Sequence, residues 1–173
     1  YSCSPSGQLE RLTQLVKQYQ LDEIPCNLVL PPDEYKLLQV DTPDVPKNEL
    51  SAALRWKIND LIDFHIDDAV IEHIELANSS ASVKNSQMVV ACRQSLIQSH
   101  VDLLLAARCN LASIDIAALA VRNIISHTSL TDIQTSIGVF SVWDDVAKIN
   151  VLLNNELHLD RSSNLKLDSV MAA

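Results

Sequence analysis

The chain has 173 residues, of which 47% are hydrophobic, and its formal net charge is -9. This length and composition suffice for a buried core in one domain or in two small ones. Nucleic-acid and anionic-membrane surfaces need clustered Lys and Arg, whereas these residues are scattered here, so the charge argues against both partners. No apolar run approaches the roughly 20 residues that span a bilayer, and no basic-then-apolar leader opens the sequence. We therefore expect a protein that is soluble by itself.

The cysteines indicate a reducing compartment. Cys3, Cys26, Cys92 and Cys109 form no C-x-x-C pair. Cys92 lies in an apolar, strand-like run, where a reduced thiol acts as a small hydrophobic side chain.

The chain opens with Tyr1 rather than with methionine, and its first residues are typical of a loop, so we expect it to be a trimmed piece of a longer protein.

The first forty residues predict a helix and two short strands. Apolar residues at helical spacing predict a helix over about residues 8–20. Two short apolar runs, residues 27–30 and 36–40, predict strands, and the prolines and acids between them favour a turn. We therefore expect these two strands to form an antiparallel pair.

The most informative segment is a helix that begins near Pro46 and leads into a strand. Proline suits a first helical turn, where its missing N–H costs nothing, and the helix dipole favours the nearby Glu49. Lys57 interrupts the apolar face, so either the stem of this lysine is buried or the face is narrower than the stripe we draw. That stripe, at about 100° per residue, consists of Leu50, Leu54, Ile58 and Leu61.

The rest of the chain alternates strands and helices. A polar loop over residues 77–86 separates two predicted strands, 69–76 and 87–92. Ser95 and Gln98 form a capping-box pattern that opens a helix, and Asn110 is expected to end this helix in a left-handed conformation. The remaining predicted elements are a strand over 111–116, a helix over 117–126, and a three-stranded meander over 137–143, 147–153 and 156–159.

Three segments together resemble the PilM family of type IV pilus biogenesis proteins. They are residues 46–72, 88–93 and 114–120, within a similarity that extends over about residues 28–161. Inside that family, the chain is most similar to the MshI branch of mannose-sensitive haemagglutinin (MSHA) pilus systems. The resemblance rests on spaced apolar and acidic positions rather than on one catalytic signature.

The resemblance implies an actin-like (ribonuclease H-like) α/β fold with a mixed sheet and a cytoplasmic location at the inner membrane. It also implies attachment to a pilus assembly platform through the cytoplasmic N-terminal peptide of a membrane partner. It divides the chain into an N-terminal helix and leader over residues 1–21 and a small α/β unit over 22–94. Residues 95–173 then form a helix and the start of an actin-like lobe with its meander.

Nucleotide binding is the first activity that an actin-like fold suggests, and the sequence argues against it. Gly7 and Gly138 are the only glycines, so no glycine-rich loop brings backbone N–H groups to a phosphate. ATP-binding relatives carry Asp-x-Gly where this chain has Ser136, Ile137 and Gly138. We therefore expect neither an enzyme nor a cofactor. An actin-like ATPase whose phosphate motifs lie outside this sequence is the alternative.

Metal and hydrolytic sites are weighed in the same way. An acidic stretch could supply cation ligands, but its spacing matches no known loop, so a solvated helix-to-strand turn is favoured and no metal is expected. The histidines and serines form no nucleophile-elbow pattern. His100, on an apolar helix face, is expected to be a hydrogen-bonded core residue. The acidic stretch comprises Asp60, Asp63, His65, Asp67, Asp68 and Glu72.

Arg55 and Trp56 are the candidate partner-binding residues. They lie on the flank of the main helix, and Trp and Arg are enriched at interface hot spots. The favoured competing interpretation buries Trp56 under the neighbouring strand. We expect the partner peptide to bind in an apolar groove between the small unit and the lobe, and to carry basic residues that suit the negative charge of this chain.

Three functions follow from the sequence. A non-catalytic scaffold that holds the cytoplasmic tail of a membrane partner is preferred. The ATPase is the second, and the third is a homodimerisation domain that pairs through an exposed strand edge of the meander.

Overall fold

The computed structural model describes residues 7–76, 86–128, 136–143, 146–153 and 156–163. Helices and strands alternate along most of this part of the chain, as predicted. The short 3-10 turn Lys47–Glu49 precedes the second helix, and the short 3-10 turn Ile66–Asp68 precedes the third strand. In order the elements are α1 (Gln8–Tyr19), β1 (Cys26–Leu30), β2 (Tyr35–Asp41), α2 (Leu50–Ile58), β3 (Ala69–Leu76), β4 (Ser86–Arg93), α3 (Gln94–Ala106), β5 (Leu111–Ile116), α4 (Ala117–Ser126), β6 (Ser136–Trp143), β7 (Val146–Leu153) and β8 (Glu156–Ser163).

Within the described residues, the strands form three sheets. β1 and β5 pair in parallel, with Leu30 opposite Ile116. The second sheet is antiparallel in the order β2-β4-β3, so β4 has a partner on each side. The third is the predicted antiparallel meander, β6-β7-β8. Parallel and antiparallel pairing therefore both occur, as expected for a mixed α/β fold, but in separate sheets.

The predicted pairing of β1 with β2 is wrong. β1 pairs with β5, and β2 pairs with β4, in which Tyr35 lies opposite Cys92. Pro31 and Pro32 follow β1 directly, and neither can donate a main-chain hydrogen bond to a hairpin. Leu30 is buried in a core cluster with residues of β5 and α4, so the parallel pairing gives this side chain its cover.

α2 covers one face of the β2-β4-β3 sheet. Leu54 and Ile58 have no exposed surface, whereas Leu61, predicted to continue the stripe, is 54% exposed because the helix ends at Ile58. Lys57 is exposed and donates a hydrogen bond to the main-chain oxygen of Asp41 (2.8 Å), so the apolar face is narrower than the predicted stripe. The buried cluster under α2 consists of Val40, Leu54, Ile58, Val89 and Ala91.

The N-terminus of α3 is capped from outside the helix. Both oxygens of the Asp68 carboxylate accept hydrogen bonds from Ser95, one from its N–H (3.2 Å) and one from its hydroxyl (3.1 Å). The predicted capping box is absent from this described helix, because α3 already begins at Gln94 and Gln98 donates to Asp102 instead. A carboxylate at this end satisfies a free N–H and suits the helix dipole.

The C-terminus of α3 also differs from the prediction. Arg108, with φ of 63°, adopts the left-handed conformation that was expected at Asn110. The N–H of Cys109 then donates back to the main-chain oxygen of Leu104 (2.9 Å). Cys109 is buried with Val16 of α1, so this turn fixes α1 against α3.

The meander packs on the rest of the molecule through the main core. Leu152 of β7 and Leu157 of β8 are buried in the same cluster as Leu30, Met88 and Ile116. The predicted turns at 144–145 and 154–155, and residues 77–85 of the predicted polar loop, lie outside the described residues. The domain boundaries stay a prediction; β1, placed in the 22–94 unit, pairs with β5 of the following segment.

Candidate functional site

Arg55 has a structural contact inside the molecule. Its guanidinium donates to the main-chain oxygens of Ala69 (3.2 Å) and Ile66, and so ties α2 to the turn that precedes β3. Trp56 is 80% exposed. The interpretation that buries this indole under the neighbouring strand is therefore wrong, because α2 turns Leu54 rather than Trp56 toward the sheet. Partner binding by Arg55 and Trp56 stays a prediction.

An apolar groove of about 260 Å³ lies between the β2-β4-β3 sheet and the β1-β5 sheet with its helices. It occupies the face of the β2-β4-β3 sheet that α2 does not cover. The sheet therefore separates the groove from Trp56, and one short peptide cannot contact both. The groove is lined by Leu30, Val70, Glu72, Ile74, Val90, Cys92, Ile97, Ile114, Asp115, Ile116 and Leu119.

β3 forms one wall of the groove. Val70, Glu72 and Ile74 alternate along the strand and so point to one face, and the two aliphatic side chains are each 36% exposed. Ile71, on the opposite face, packs against the cluster under α2. Sequence reasoning missed this wall. The signal that could have found it is a strand with apolar residues on both faces, because α2 can cover only one of the two faces.

The floor of the groove is apolar and uncharged. Val90 and Cys92 of β4 lie there beside Leu30 and Ile116 of the parallel pair. Burial, with a smaller contribution from the carboxylate of Glu34, raises the pKa of the Cys92 thiol to about 11. The thiol is therefore protonated at neutral pH and behaves as a small hydrophobic group.

Acidic side chains surround the groove. Glu72 and Asp115 lie within its lining. A smaller cavity of about 50 Å³ continues from the groove past Ile74 and Leu119, which line both, and adds Glu75, Glu156 and Arg122. Carboxylates therefore outnumber the single arginine along this surface. This charge favours a ligand with basic side chains next to its apolar ones.

A buried polar network joins the meander to β2 and α4. The Lys148 ammonium donates to Asp160 (3.0 Å) and to the Tyr35 hydroxyl (3.1 Å), and the N–H of Ala118 also donates to that hydroxyl (3.2 Å). Asn150 donates to the other Asp160 oxygen (2.7 Å). Burial raises the pKa of Tyr35, although the Lys148 charge opposes that effect. Every member has partners, so the network can stabilise the core.

The acidic stretch considered as a cation site is used for ion pairs and caps. Asp63 pairs with Lys36 (2.9 Å), and this hydrogen bond lowers the pKa of the Asp63 carboxyl. Asp68 caps α3, and the His65 side chain accepts a hydrogen bond from the N–H of Asp67 (3.3 Å). In the described ranges, no group of three or more His, Cys, Asp or Glu side chains is arranged to hold a metal ion.

Two further predicted residues can be placed. His100 Nε2 lies 2.8 Å from a Glu34 carboxylate oxygen, which confirms the predicted hydrogen bond, but the His100 side chain is 28% exposed and is not the core residue that was expected. Gly138 lies inside β6, and a Cβ at this position would meet open space. No close approach of protein atoms therefore requires glycine at this position.

In the part of the chain that the structure describes, no helix is both long and apolar enough to cross a membrane.

Comparison with solved structures identifies the fold. The chain is similar to the PilM–PilN type IV pilus biogenesis complex, with a TM-score of 0.75 and 18% identity over 97% of this chain and 51% of that one. The chain is also similar to the cytoplasmic domain of EpsL, an inner membrane component of the type II secretion system of Vibrio cholerae. The TM-score is 0.63 and the identity is 13%, over 90% of this chain and 56% of that one. A third similar structure is a Bacteroides thetaiotaomicron protein of unknown function with an actin-like ATPase fold. Its TM-score is 0.52 and its identity is 10%, over 94% of this chain and 58% of that one.

These likenesses confirm the predicted actin-like α/β fold, and the chain spans about half the length of the structures that it matches. No curated protein matches the sequence significantly. The family described as type IV pilus assembly protein PilM matches residues 10–166, which is most of the chain. This chain therefore belongs to the PilM family of type IV pilus assembly proteins.

Proposed function

We propose that this chain is a non-catalytic scaffold of an inner-membrane pilus assembly platform, located in the cytoplasm. Its partner is the cytoplasmic N-terminal peptide of a membrane-anchored pilus protein of the PilN type. The observation that carries this proposal is the apolar groove beside β3, with its acidic surroundings. Membership of the PilM family, and the complex that its structural relative forms with PilN, support the class of partner.

The shape and chemistry of the groove favour a peptide over a nucleotide. Its volume of about 260 Å³ is below the range of about 300–1,000 Å³ that is usual for small-molecule pockets. Val70, Ile74 and Ile114 are each 36% exposed and offer contacts to apolar side chains. Glu72 and Asp115 would repel phosphates but attract lysine or arginine. A short segment with alternating apolar and basic residues fits all of these contacts.

The groove is tested by titrating a synthetic peptide of the PilN-type partner into the chain and into two variants. Ile114→Asp places a charge at an exposed position of the groove, so we expect affinity to fall at least about tenfold. Trp56→Ala, on the other side of the sheet, should leave affinity unchanged. Thermal melting would verify that both variants stay folded. The opposite pattern, loss with Trp56→Ala alone, would reject the groove and assign the site to the Arg55–Trp56 flank.

The non-catalytic part of the proposal has its own test. Calorimetric titration of the chain with Mg-ATP should give no binding tighter than about 100 μM, because no glycine-rich hairpin is available for the phosphates. Tighter binding would contradict the proposed non-catalytic role of this chain.

We also propose that the chain serves an MSHA-type pilus, as the similarity to the MshI branch suggests. Peptides from the PilN-type proteins of an MSHA system and of another type IV pilus system would be compared in the same titration. The MSHA peptide should bind more tightly. Equal affinity, or preference for the other peptide, would contradict this assignment.

A further inference from the structure

Cys26 and Cys109 bring two thiols together where β1 and β5 begin. Cys26 is the first residue of β1, and Cys109 lies two residues before β5. The N–H of Cys26 donates to the main-chain oxygen of Asn110 (2.8 Å), and the N–H of Asn110 donates to that of Leu21 (3.0 Å). The Cys26 thiol donates to the same Leu21 oxygen (3.6 Å). The two segments that carry the cysteines are therefore held side by side.

The side chains of the two cysteines meet as well. Cys109 is buried in a cluster with Val16 and Ala107, and Cys26 packs against that cluster. The two thiols lie within hydrogen-bonding reach of each other, and both are free thiols in this structure. An S–S bond is about 2.05 Å long. Because the segments are already adjacent, the sulfur atoms can reach this distance by side-chain rotation, without a change in strand pairing.

The two thiols differ in their access to solvent. Cys26 is half-buried and follows the exposed residues 22–25, so a small oxidant can reach its sulfur. Cys109 is only 7% exposed. Burial, with a smaller contribution from the contact with Cys26, raises the pKa of the Cys109 thiol, which therefore stays protonated at neutral pH. Thiolates rather than thiols react with peroxides, so oxidation begins at Cys26 and Cys109 is the resolving thiol.

We propose that Cys26 and Cys109 form a reversible disulfide when the chain meets hydrogen peroxide. The Cys26 thiol releases its proton to solvent and attacks one peroxide oxygen. The O–O bond breaks, the hydroxide that leaves takes up a proton to become water, and Cys26 becomes a sulfenic acid. The Cys109 sulfur then attacks the Cys26 sulfur, the S–O bond breaks, and the hydroxide leaves with the Cys109 proton as a second water. Two thiols are oxidised and one peroxide is reduced; a small dithiol reverses the result by becoming a disulfide itself.

The disulfide joins the α1–β1 connection to the α3–β5 turn across more than 80 residues of chain. A crosslink that closes a long loop restricts the unfolded chain most, so the oxidised form is expected to be the more stable one. A reversible disulfide is compatible with a reducing compartment, where the disulfides that occur are mostly transient and redox-sensing. The proposal does not depend on the occupant of the groove.

Peptide mapping of the full chain tests the pairing. Trypsin cleaves after Lys and Arg, which places each cysteine on a peptide of its own. The peptides are 1–11 with Cys3, 18–36 with Cys26, 85–93 with Cys92, and 109–122 with Cys109. The folded, reduced chain is treated with hydrogen peroxide, remaining thiols are blocked with iodoacetamide, and the digest is analysed by mass spectrometry without reductant. We expect the 18–36/109–122 pair to be the main disulfide product of the monomer and dithiothreitol to remove it. Another main pairing, or no disulfide, would overturn the proposal.

A matched pair of variants tests the effect of the crosslink. Peroxide should raise the melting temperature of the unchanged chain by at least about 5 °C, and dithiothreitol should abolish the rise. Cys26→Ser should lose the rise. Cys92→Ala should keep it, because Cys92 belongs to a separate buried cluster that contains no other cysteine among the described residues. The same rise in Cys26→Ser, or no rise in the unchanged chain although the 18–36/109–122 pair is present, would contradict a stabilising disulfide.

Discussion

The two faces of the β2-β4-β3 sheet are covered in different ways. On the α2 side, Leu54, Ile58, Val89 and Ala91 form a fully buried apolar cluster, and the buried Gln87 on the same face is hydrogen-bonded to His73 and Thr42 (3.3 Å each). On the lobe side, a polar network around Lys148 closes one part, and the groove beside β3 remains open. An apolar layer contributes stability without demanding exact polar partners, whereas an open groove leaves surface for a ligand at the expense of stability. The first face therefore supports the fold, and the second carries the proposed binding site.

The largest effect is expected on the lobe side, where a charge pair is buried. Lys148 and Asp160 have side chains that are 5% and 10% exposed. Lys148→Met should lower the free energy of unfolding by about 3–5 kcal/mol, because it leaves the Asp160 carboxylate buried without its cation. Urea denaturation would measure this. The double variant Lys148→Met/Asp160→Asn should recover much of the loss; an unrecovered loss would show that the lost hydrogen bond from Lys148 to Tyr35, rather than the unpaired charge, is responsible.

The apolar face should be nearly as sensitive. Leu54→Ala is expected to reduce the free energy of unfolding by about 2–5 kcal/mol, because it opens a cavity in a fully buried cluster. Leu61→Ala provides the matched control, since Leu61 is 54% exposed beyond the end of α2. That control should change stability by less than about 0.5 kcal/mol. A loss below about 1 kcal/mol for Leu54→Ala would mean that this face is not closed in solution.

The floor of the groove gives a pH-dependent prediction. The pKa of Cys92 is raised from 9.0 to about 11, so the folded chain holds this proton over a pH range in which the unfolded chain releases it. The Cys92 contribution to stability is therefore complete below pH 9 and is lost as the pH rises to about 11, with a size of about 2 kcal/mol. Denaturation at pH 8 and pH 10.5 would measure the difference. Cys92→Ala should lose less stability over this interval, and an identical loss in both proteins would contradict the assignment.

The smallest effect concerns the cap that links β3 to α3. Asp68→Ala should reduce stability by about 1 kcal/mol, because the N–H of Ser95 loses its acceptor at the start of α3. Gln98→Ala should change stability by less than about 0.5 kcal/mol, since Gln98 is exposed and does not cap the helix. Thermal unfolding of the two variants would compare them. A larger loss for Gln98→Ala would restore the capping box that the sequence pattern suggested.

Local patterns determined much of this protein. The apolar spacing of Leu54 and Ile58 predicted the buried face of α2, and period-two alternation predicted the meander. The residues with family resemblance predicted the actin-like fold and the PilM family. These features depend on residues close together in the chain or on positions that relatives share, so a single sequence contains them.

Only the tertiary structure decided how distant segments meet. β1 and β2 are neighbours in sequence and were expected to pair. In the structure β1 pairs with β5 instead, and Leu30 is buried beside Ile116, which is over 80 residues away in the chain. The Asp68 cap and the Lys148–Asp160 pair likewise join separate elements. Trp56 was expected in the core because large aromatic residues are usually buried, but burial depends on which elements cover a helix. The groove arises in the same way. Local periodicity shows that a helix or strand has an apolar face, whereas the packing of distant elements decides whether that face is covered.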